Sequence, residues 1–424
     1  MSPRGDHRRR RSARLTLAAV GATLLLTSGC LWAQKGYDAG RSGYNPNEKT
    51  LTAATVAGLE AVWSVDGKPE HTVAWGGRVH TLLRLPDSVW PPVGRTELVT
   101  VDLATGSELW RVPGDNADYG NGYMAVVGGT LALTAGHTSY CSGAGCQTSY
   151  STGNHGYDVA TGASKAHPFS APIYSSTPGF TSATIGAHVA VYPVTDVSGS
   201  FNALLATFDG TTPDAQVGEG TQMSPLLDEA AQVVYTTPGQ ENFPPENPVI
   251  DAWPLSCTIG PCEPVWSHPG STLYAAFEAS SDTLYVGGEQ IRAVDTTDGS
   301  TAWTASVATW QRPAVRNGTV LAVAGDGRLV SIPSCGSATC APAWSGTGVG
   351  GSIAPIVGGD VVYVAAADAD GTTVRAYDAE GCGAPTCDPL ATVTATGTPM
   401  DLLVADGTLV VTTSTGLHAF RLPG

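Results

Sequence analysis

A short sequence unit recurs eight times between residues 100 and 421. In each copy a small residue precedes a large apolar residue, and Asp or Pro usually follows. The third positions of successive copies are 56, 51, 45, 41, 38, 45 and 43 residues apart. A loose period in the forties is typical of units that bury their apolar faces only by stacking on neighbours. The copies lie at 100–102, 156–158, 207–209, 252–254, 293–295, 331–333, 376–378 and 419–421.

Residues 311–344 show what one unit contains. Four short apolar segments are separated by Asn317-Gly318, Asp326-Gly327 and a pair of cysteines. Because Asn-Gly and Asp-Gly are strong hairpin signals, each unit predicts a four-stranded antiparallel sheet. Repeated sheets of this kind predict an all-β fold, an eight-bladed β-propeller, or a seven-bladed one if the weak unit at 207–209 is misread. The last unit has only three strands, so we expect residues 58–64 to complete it and to hide two sheet edges.

The repeat runs from about residue 51 to residue 424, which predicts one propeller domain over 51–424. A charged fraction of only 14% and 52 glycines fit many short strands joined by tight turns. Residues 1–29 hold six Arg and one Asp, so the remainder keeps 15 basic and 36 acidic residues, a net charge of −21. Such a surface argues against nucleic-acid binding and against docking on anionic lipid by charge.

The first 29 residues have the features of an export signal. An arginine-rich head precedes a mostly apolar core of twelve residues at 15–26, too few to span a bilayer as a helix, which needs about 20. Three small residues then lead to Cys30, and the stretch 26–30 resembles a bacterial lipobox. This resemblance implies diacylglycerol on Cys30; ordinary secretion is the alternative. We expect residues 30–50 to be a tether and docking segment, and the protein to lie on the outer face of the cytoplasmic membrane or to be secreted.

Eight of the nine cysteines form four pairs with four residues between the partners. Three of these pairs follow the predicted third strand of a four-stranded unit, so they span the turn to the fourth strand of that unit. Facing residues of a hairpin are close enough for a disulfide, and an exported protein favours oxidation. Zinc is the alternative, but it would need two pairs to converge. The predicted disulfides are Cys141–Cys146, Cys257–Cys262, Cys335–Cys340 and Cys382–Cys387, which leaves Cys30 for the lipid.

Residues 293–303 and 100–110 share the pattern A-x-D-x-x-[TD]-G-x-x-x-W, with Thr100 replacing the Ala in the second. This string resembles the pyrroloquinoline-quinone-type repeat, found in quinoprotein dehydrogenases and in non-enzymatic propeller lipoproteins of the β-barrel assembly machinery. The resemblance implies that Trp caps the packing between blades and that Gly closes the outer hairpin. The residues with these structural roles are Asp102, Gly106, Trp110, Asp295, Gly299 and Trp303.

Enzymes with this repeat carry two adjacent cysteines and acidic Ca²⁺ ligands. The chain has no Cys-Cys dipeptide, so we predict no catalytic residue, cofactor or metal, with pyrroloquinoline quinone and Ca²⁺ as the disfavoured alternative. The Asp368–Gly371 stretch is too poor in acidic residues for a Ca²⁺ loop and predicts a turn. Three insertions, at 84–96, 136–155 and 239–248, fall on the face that carries the blade crossings; they are a candidate partner surface or neutral insertions.

These features favour a monomeric cell-envelope lipoprotein whose propeller is a non-catalytic binding or scaffold module. Its membrane contact is the lipid anchor, and its partner is an envelope protein, a small molecule or a glycan. One alternative is a quinone- or metal-dependent oxidoreductase of the quinoprotein type. Another is a carbohydrate-binding or sensing module. The repeat constrains the fold far more than the function, because one fold carries many activities.

Overall fold

The computed structural model describes most of the chain from Trp32 onward. The described ranges are 32–84, 96–113, 123–139, 149–166, 168, 184–185, 189–195, 201–207, 215–219, 225–237, 248–256, 263–278, 281–348 and 350–424. Their strands form eight separate sheets, each built from four antiparallel strands. Helix is confined, in these ranges, to the 3-10 turns Val56–Gly58 and Thr272–Tyr274. The described residues contain no helix that is long and apolar enough to cross a membrane.

The first four sheets follow the chain in order, and we number the sheets accordingly. Sheet 1 contains Lys68–Trp75, Arg78–Arg84, Thr96–Asp102 and Glu108–Val112. Sheet 2 contains Tyr123–Val127, Thr130–Ser139, Ser149–Asp158 and Ser164–Lys165. Sheet 3 contains Thr184–Ile185, Val189–Thr195, Phe201–Thr207 and Ala215–Glu219. Sheet 4 contains Leu226–Asp228, Val233–Thr236, Val249–Pro254 and Trp266–Pro269.

The remaining four sheets each gain a strand from elsewhere in the chain. Sheet 5 contains Ala275–Ala276, Thr283–Val286, Ile291–Asp295 and Thr301–Ala305, with Thr339–Cys340 added. Sheet 6 contains Ala314–Arg316, Thr319–Val323, Leu329–Pro333 and Trp344–Gly346, with Thr386–Cys387 added. Sheet 7 contains Ile356–Gly358, Val361–Asp368, Gly371–Asp378 and Ala391–Ala395, with Tyr44–Asn45 added. Sheet 8 contains Pro399–Ala405, Thr408–Thr413, Gly416–Arg421 and, from the N-terminal side, Glu60–Asp66.

Burial differs between the middle and the outer strands of a sheet. All six residues of Thr408–Thr413 and the first six of Thr96–Asp102 are buried, so both faces of these strands are covered. The outer strands Glu60–Asp66 and Ala391–Ala395 instead alternate between exposed and half-buried residues. Strands buried on both faces carry nearly continuous apolar runs because a sheet packs on each side. This pattern is what a stack of sheets around an axis requires.

Each clear copy of the repeat closes a tight turn between the third and fourth strands. Asp102 Oδ1 accepts hydrogen bonds from the amides of Ala104 and Thr105, and Gly106 N donates to Asp102 O at 2.8 Å. Gly106 has φ +71°, which glycine adopts without strain. A related turn occurs at Asp158, Asp295 and Asp378.

A tryptophan from the outer strand of one sheet packs on the turn glycine of the next. A Cβ on these glycines would lie 2.5–2.8 Å from an indole carbon, so only glycine leaves room. Three of the indoles also donate Nε1–H, over 2.9–3.3 Å, to the carbonyl that follows the turn Asp. Trp303 is 5% exposed and packs with Tyr285 and Ile332 in one core cluster. The Trp–Gly pairs are Trp63–Gly106, Trp110–Gly162, Trp266–Gly299 and Trp344–Gly381.

The last sheet is completed by a strand from the N-terminal side and joined to the first sheet. Glu60–Asp66 pairs antiparallel with Gly416–Arg421. The strand was predicted at residues 58–64. It lies two residues later, at Glu60–Asp66, because the turn Val56–Gly58 precedes it. The indole of Trp63 donates to Leu103 O at 3.0 Å. The same kind of contact, from Trp110 to Val159 O, joins sheet 1 to sheet 2. Sheet 8 therefore lies against sheet 1.

Two of the predicted cysteine pairs form disulfides that also cover sheet edges. Cys335–Cys340 and Cys382–Cys387 each have Cα atoms 5.6 Å apart. The turn that holds the first pair adds Thr339–Cys340 in parallel to the outer strand of sheet 5, and the second adds Thr386–Cys387 to sheet 6. Each bridge therefore fixes a short strand over the edge of the preceding sheet, where unpaired backbone groups would invite association. The pairs Cys141–Cys146 and Cys257–Cys262 lie outside the described residues.

We expect Trp63→Ala to lower the free energy of unfolding by about 2–3 kcal/mol, because the substitution empties the joint between sheets 8 and 1. Urea unfolding followed by circular dichroism measures the effect. The matched control is Val62→Ala on the same strand, since Val62 is 46% exposed and should change stability by less than about 0.5 kcal/mol. Equal stability of the two variants would contradict a closing role for Trp63.

Candidate functional site

Residues 32–48, which we call the axial segment, run past the first strands of seven of the eight sheets. The segment meets these sheets in chain order, from sheet 1 to sheet 8. The six backbone bonds are 2.7–3.0 Å long from nitrogen to oxygen. The amides of Ala74, Val126, Leu227, Phe277, Val315 and Val357 donate to the carbonyls of Trp32, Ala33, Ala39, Gly40, Ser42 and Gly43, in that order.

The axial segment ends on sheet 8 through two buried side chains. Asn45 Nδ2 donates to Val404 O at 2.8 Å, and Glu48 Oε2 accepts from Gly407 N at 3.0 Å. The segment comes very close to the sheets it crosses, since a Cβ at Gly40 would collide with the carbonyl oxygen of Phe277. Residues 32–48 are therefore part of the folded body.

Five charged side chains meet at the end of the axis where the inner strands begin; we call them the axial charge cluster. The axial segment supplies Lys35, Asp38 and Arg41. The crossing between sheets 5 and 6 supplies Arg312, and the inner strand of sheet 8 supplies Asp401. Arg41 and Arg312 are only 4% and 8% exposed, whereas Lys35 and Asp38 are half-buried although protein surrounds them closely.

Asp38 holds the turn of the axial segment in place. Its two carboxylate oxygens accept from Ser42 N at 2.8 Å and from Ser42 Oγ at 2.6 Å. Burial raises the pKa of Asp38 to about 6, against the opposing effect of the Ser42 bonds and the positive charge of Arg312. The negative charge of Glu278 adds to the increase. Asp38 is therefore a carboxylate whose ionisation is made costly by its surroundings.

Burial also acts on the three cations of the cluster. It lowers the pKa of Lys35, an effect that Asp401 opposes and that Arg312 and Arg41 reinforce. Burial lowers the pKa of Arg41 to about 10 and lowers that of Arg312, where Asp401 and Asp38 oppose the change. Three cations thus lie near two carboxylates in a partly desolvated place. Such an arrangement attracts an anionic group, since electrostatic interactions strengthen as water is excluded.

Some of the other predicted sites lie within the described residues, and the rest lie outside them. Asp368 lies in a hairpin turn, where its Oδ1 accepts from Asp370 N at 3.1 Å. Within the described ranges no group of three or more His, Cys, Asp or Glu could hold a metal ion. Cys30 lies outside the described residues, as do the tips 85–95, 140–148 and 238–247 of the three insertions.

The sequence analysis missed the axial charge cluster. Its members are scattered from Lys35 to Asp401 and carry no recognisable spacing. The only signal was three charged residues in a short polar stretch directly before the repeats.

The profile described as "Outer membrane protein assembly factor BamB" matches residues 287–422. The predicted resemblance to the pyrroloquinoline-quinone-type repeat is confirmed. The match covers most of sheet 5, all of sheets 6 and 7, and the three C-terminal strands of sheet 8. No curated protein sequence matches the chain.

Several solved structures share the fold at low identity. The quinohemoprotein alcohol dehydrogenase from Comamonas testosteroni is 13% identical, with 93% of this chain and 81% of that chain covered and a TM-score of 0.60. A europium-containing methanol dehydrogenase is 11% identical, with coverages of 93% and 98% and a TM-score of 0.54. The computationally designed Ika8 protein is 14% identical, with coverages of 86% and 98% and a TM-score of 0.54. At these identities the likeness shows a β-propeller fold, and it carries no information about activity.

We expect the stability of the Asp38→Asn protein relative to the wild type to increase as the pH rises from 4 to 7. The folded wild type binds a proton more tightly than the unfolded chain, so it loses stability as Asp38 ionises over this range, by about 1–3 kcal/mol. The asparagine Oδ1 can still accept from Ser42 N, and its Nδ2 can donate to Ser42 Oγ, without the charge. Thermal unfolding of both proteins at several pH values measures the difference.

The matched control is Asp298→Asn. Asp298 is an exposed turn carboxylate whose pKa is lowered by hydrogen bonds from Ser300, so its contribution is constant above pH 5. Parallel stability curves for wild type and Asp38→Asn would show that Asp38 has an ordinary pKa.

Proposed function

We propose that the protein is an exported lipoprotein whose β-propeller is a non-catalytic binding or scaffold module. In this proposal residues 1–29 are the signal, Cys30 carries the lipid, and the eight sheets are the blades of one ring. The observation that carries it is the axial segment. Its backbone bonds to the inner strands, which supports a structural role for this segment and leaves the outer surface to bind protein partners.

The start of the axial segment supports a very short tether. Trp32 is 1% exposed, and its backbone exchanges two hydrogen bonds of 2.9 Å with Ala74. Cys30 precedes Trp32 by two residues, which span at most about 7 Å. A diacylglycerol on Cys30 would therefore hold the folded body directly at the bilayer, with no flexible spacer. Two acyl chains suffice for stable anchoring.

The position of Trp32 also favours one orientation of the propeller. Ala74 lies near the end of strand Lys68–Trp75, next to the turn Gly76–Gly77. First-to-second-strand turns and the disulfide turns lie at this end of the sheets, because the strands alternate in direction. The opposite face, with the crossings between sheets and the three insertions, would point away from the membrane.

The outward face carries an exposed aromatic residue. Trp310, in the crossing between sheets 5 and 6, is 54% exposed and contacts the Tyr274 ring edge-on at 5.9 Å between centroids. Gln311 Nε2 donates to Ser352 O at 3.1 Å, so neighbouring crossings are tied together. Tryptophan is enriched among the residues that dominate binding energy at interfaces. We propose that this face of a monomeric protein binds an envelope protein, a small molecule or a glycan.

We expect Cys30→Ser to release the protein from the membrane fraction, because no acyl chains remain to hold the acidic domain there. Fractionation of cells followed by immunoblotting measures the distribution. Thr27→Ala, which keeps a small residue before Cys30, is the control and should leave the protein on the membrane. Full membrane retention of the Cys30→Ser protein would refute the lipid anchor.

We expect Trp310→Ala to reduce the yield of crosslinked partner in intact cells by at least about five-fold, the loss typical of an interface residue worth 1 kcal/mol or more. The control is Val265→Ala, since Val265 is also apolar and is 58% exposed on the flank of sheet 4. Circular dichroism checks that both variants fold. Equal yields would place the partner on another surface.

The alternative function is a quinone-dependent oxidoreductase, which the likeness to two alcohol dehydrogenases keeps open. Incubation of residues 31–424 with pyrroloquinoline quinone and Ca²⁺ separates the two functions. The scaffold proposal expects no bound chromophore and no dye-linked oxidation of alcohols or sugars. A stoichiometric chromophore with such activity would contradict it.

A further inference from the structure

Arg312 is a buried cation with one donor that has no partner among the described residues. Its side chain is 8% exposed, and its Nε finds no hydrogen-bond partner in the part of the chain that the structure describes. The guanidinium packs on Gly36, where a Cβ would lie 2.7 Å from Nη1. Burying a charge without hydrogen bonds is costly, so proteins rarely retain one that no ligand or network uses.

Lys35 places a second cation beside Arg312. Its neighbours act on it through charge: Asp401 favours its protonation, and Arg312 and Arg41 oppose it. Lys35 remains half-buried, so part of its side chain is accessible from solvent. The two cations come from different elements, the axial segment and the crossing between sheets 5 and 6.

The axial charge cluster has an excess of one positive charge. Lys35, Arg41 and Arg312 face Asp38 and Asp401. The carboxylate oxygens of Asp38 are bound to Ser42. A third carboxylate, Glu278, also influences Asp38, but it accepts hydrogen bonds from the amides of residues 317 and 318 and is thus held at that turn.

We propose that the axial charge cluster is a binding site for a small carboxylate, held by Arg312 and Lys35. The guanidinium presents paired donors that match a carboxylate, and the ammonium adds a point charge. A single negative charge neutralises the excess of the cluster. A phosphate dianion fits less well, because Asp38 and Asp401 lie beside the cations and would repel the second charge.

Occupation of this site would tie the axial segment to the propeller wall. Lys35 belongs to the segment, while Arg312 belongs to a crossing on the face that carries Trp310. A carboxylate between them bridges the two elements, and binding to the folded state alone stabilises it in proportion to ligand concentration. The site is independent of the lipid anchor, so its failure would leave the proposed function standing.

The test uses trifluoroacetate as the probe with purified residues 31–424. The ¹⁹F resonance of the probe should broaden in the presence of wild-type protein, and acetate should reverse the broadening. Arg312→Met should weaken binding at least ten-fold. The matched control is Arg328→Met, which removes an exposed guanidinium that pairs with Asp326 and should leave binding unchanged.

A second variant covers the case in which Arg312→Met does not fold. Lys35→Met removes the second cation of the proposed site. Circular dichroism verifies that this variant folds. The substitution should also weaken probe binding ten-fold. Equal broadening by wild type and both cluster variants would overturn the proposal. So would absence of broadening by the wild type, or displacement of the probe by inorganic phosphate at lower concentrations than by acetate.

Discussion

The pairing of Glu60–Asp66 with Gly416–Arg421 is the interaction on which the rest of the structure depends. It supplies the outer strand of sheet 8 and covers an edge that would otherwise be open. It also brings Trp63 to Gly106, so that the last sheet is locked to the first by the contact used between other neighbours. Without this strand each sheet would still form, but the stack would have two free ends.

The same part of the chain works on both sides of the propeller wall. Residues 32–48 bind the inner strands, and Glu60–Asp66, a few residues later, binds an outer one. An inner plug built only for stability would be apolar, as Trp32 is. The presence of Lys35 and Arg312 in a desolvated place departs from that rule, and such departures concentrate where a protein binds something.

The sequence was informative where the signals were local. Asn317-Gly318 and the Asp102–Gly106 turn specify hairpins through backbone conformation, so the sheets and their order could be predicted. The repeat also indicated that Trp caps the packing between blades. The added strand Thr339–Cys340 could not be predicted, because it pairs with a sheet formed earlier in the chain. The axial charge cluster could not be predicted either, since Lys35 and Asp401 are far apart in the sequence and come close only in the folded chain.

The closing strand has a consequence for biogenesis. Glu60–Asp66 is made early, yet its partner Gly416–Arg421 follows only after about 350 further residues. At typical synthesis rates this delay is roughly 20–70 s. During that time the strand is an unpaired edge and the axial segment has no walls to bind. Maturation would end with a single long-range docking step whose entropic cost grows slowly with loop length.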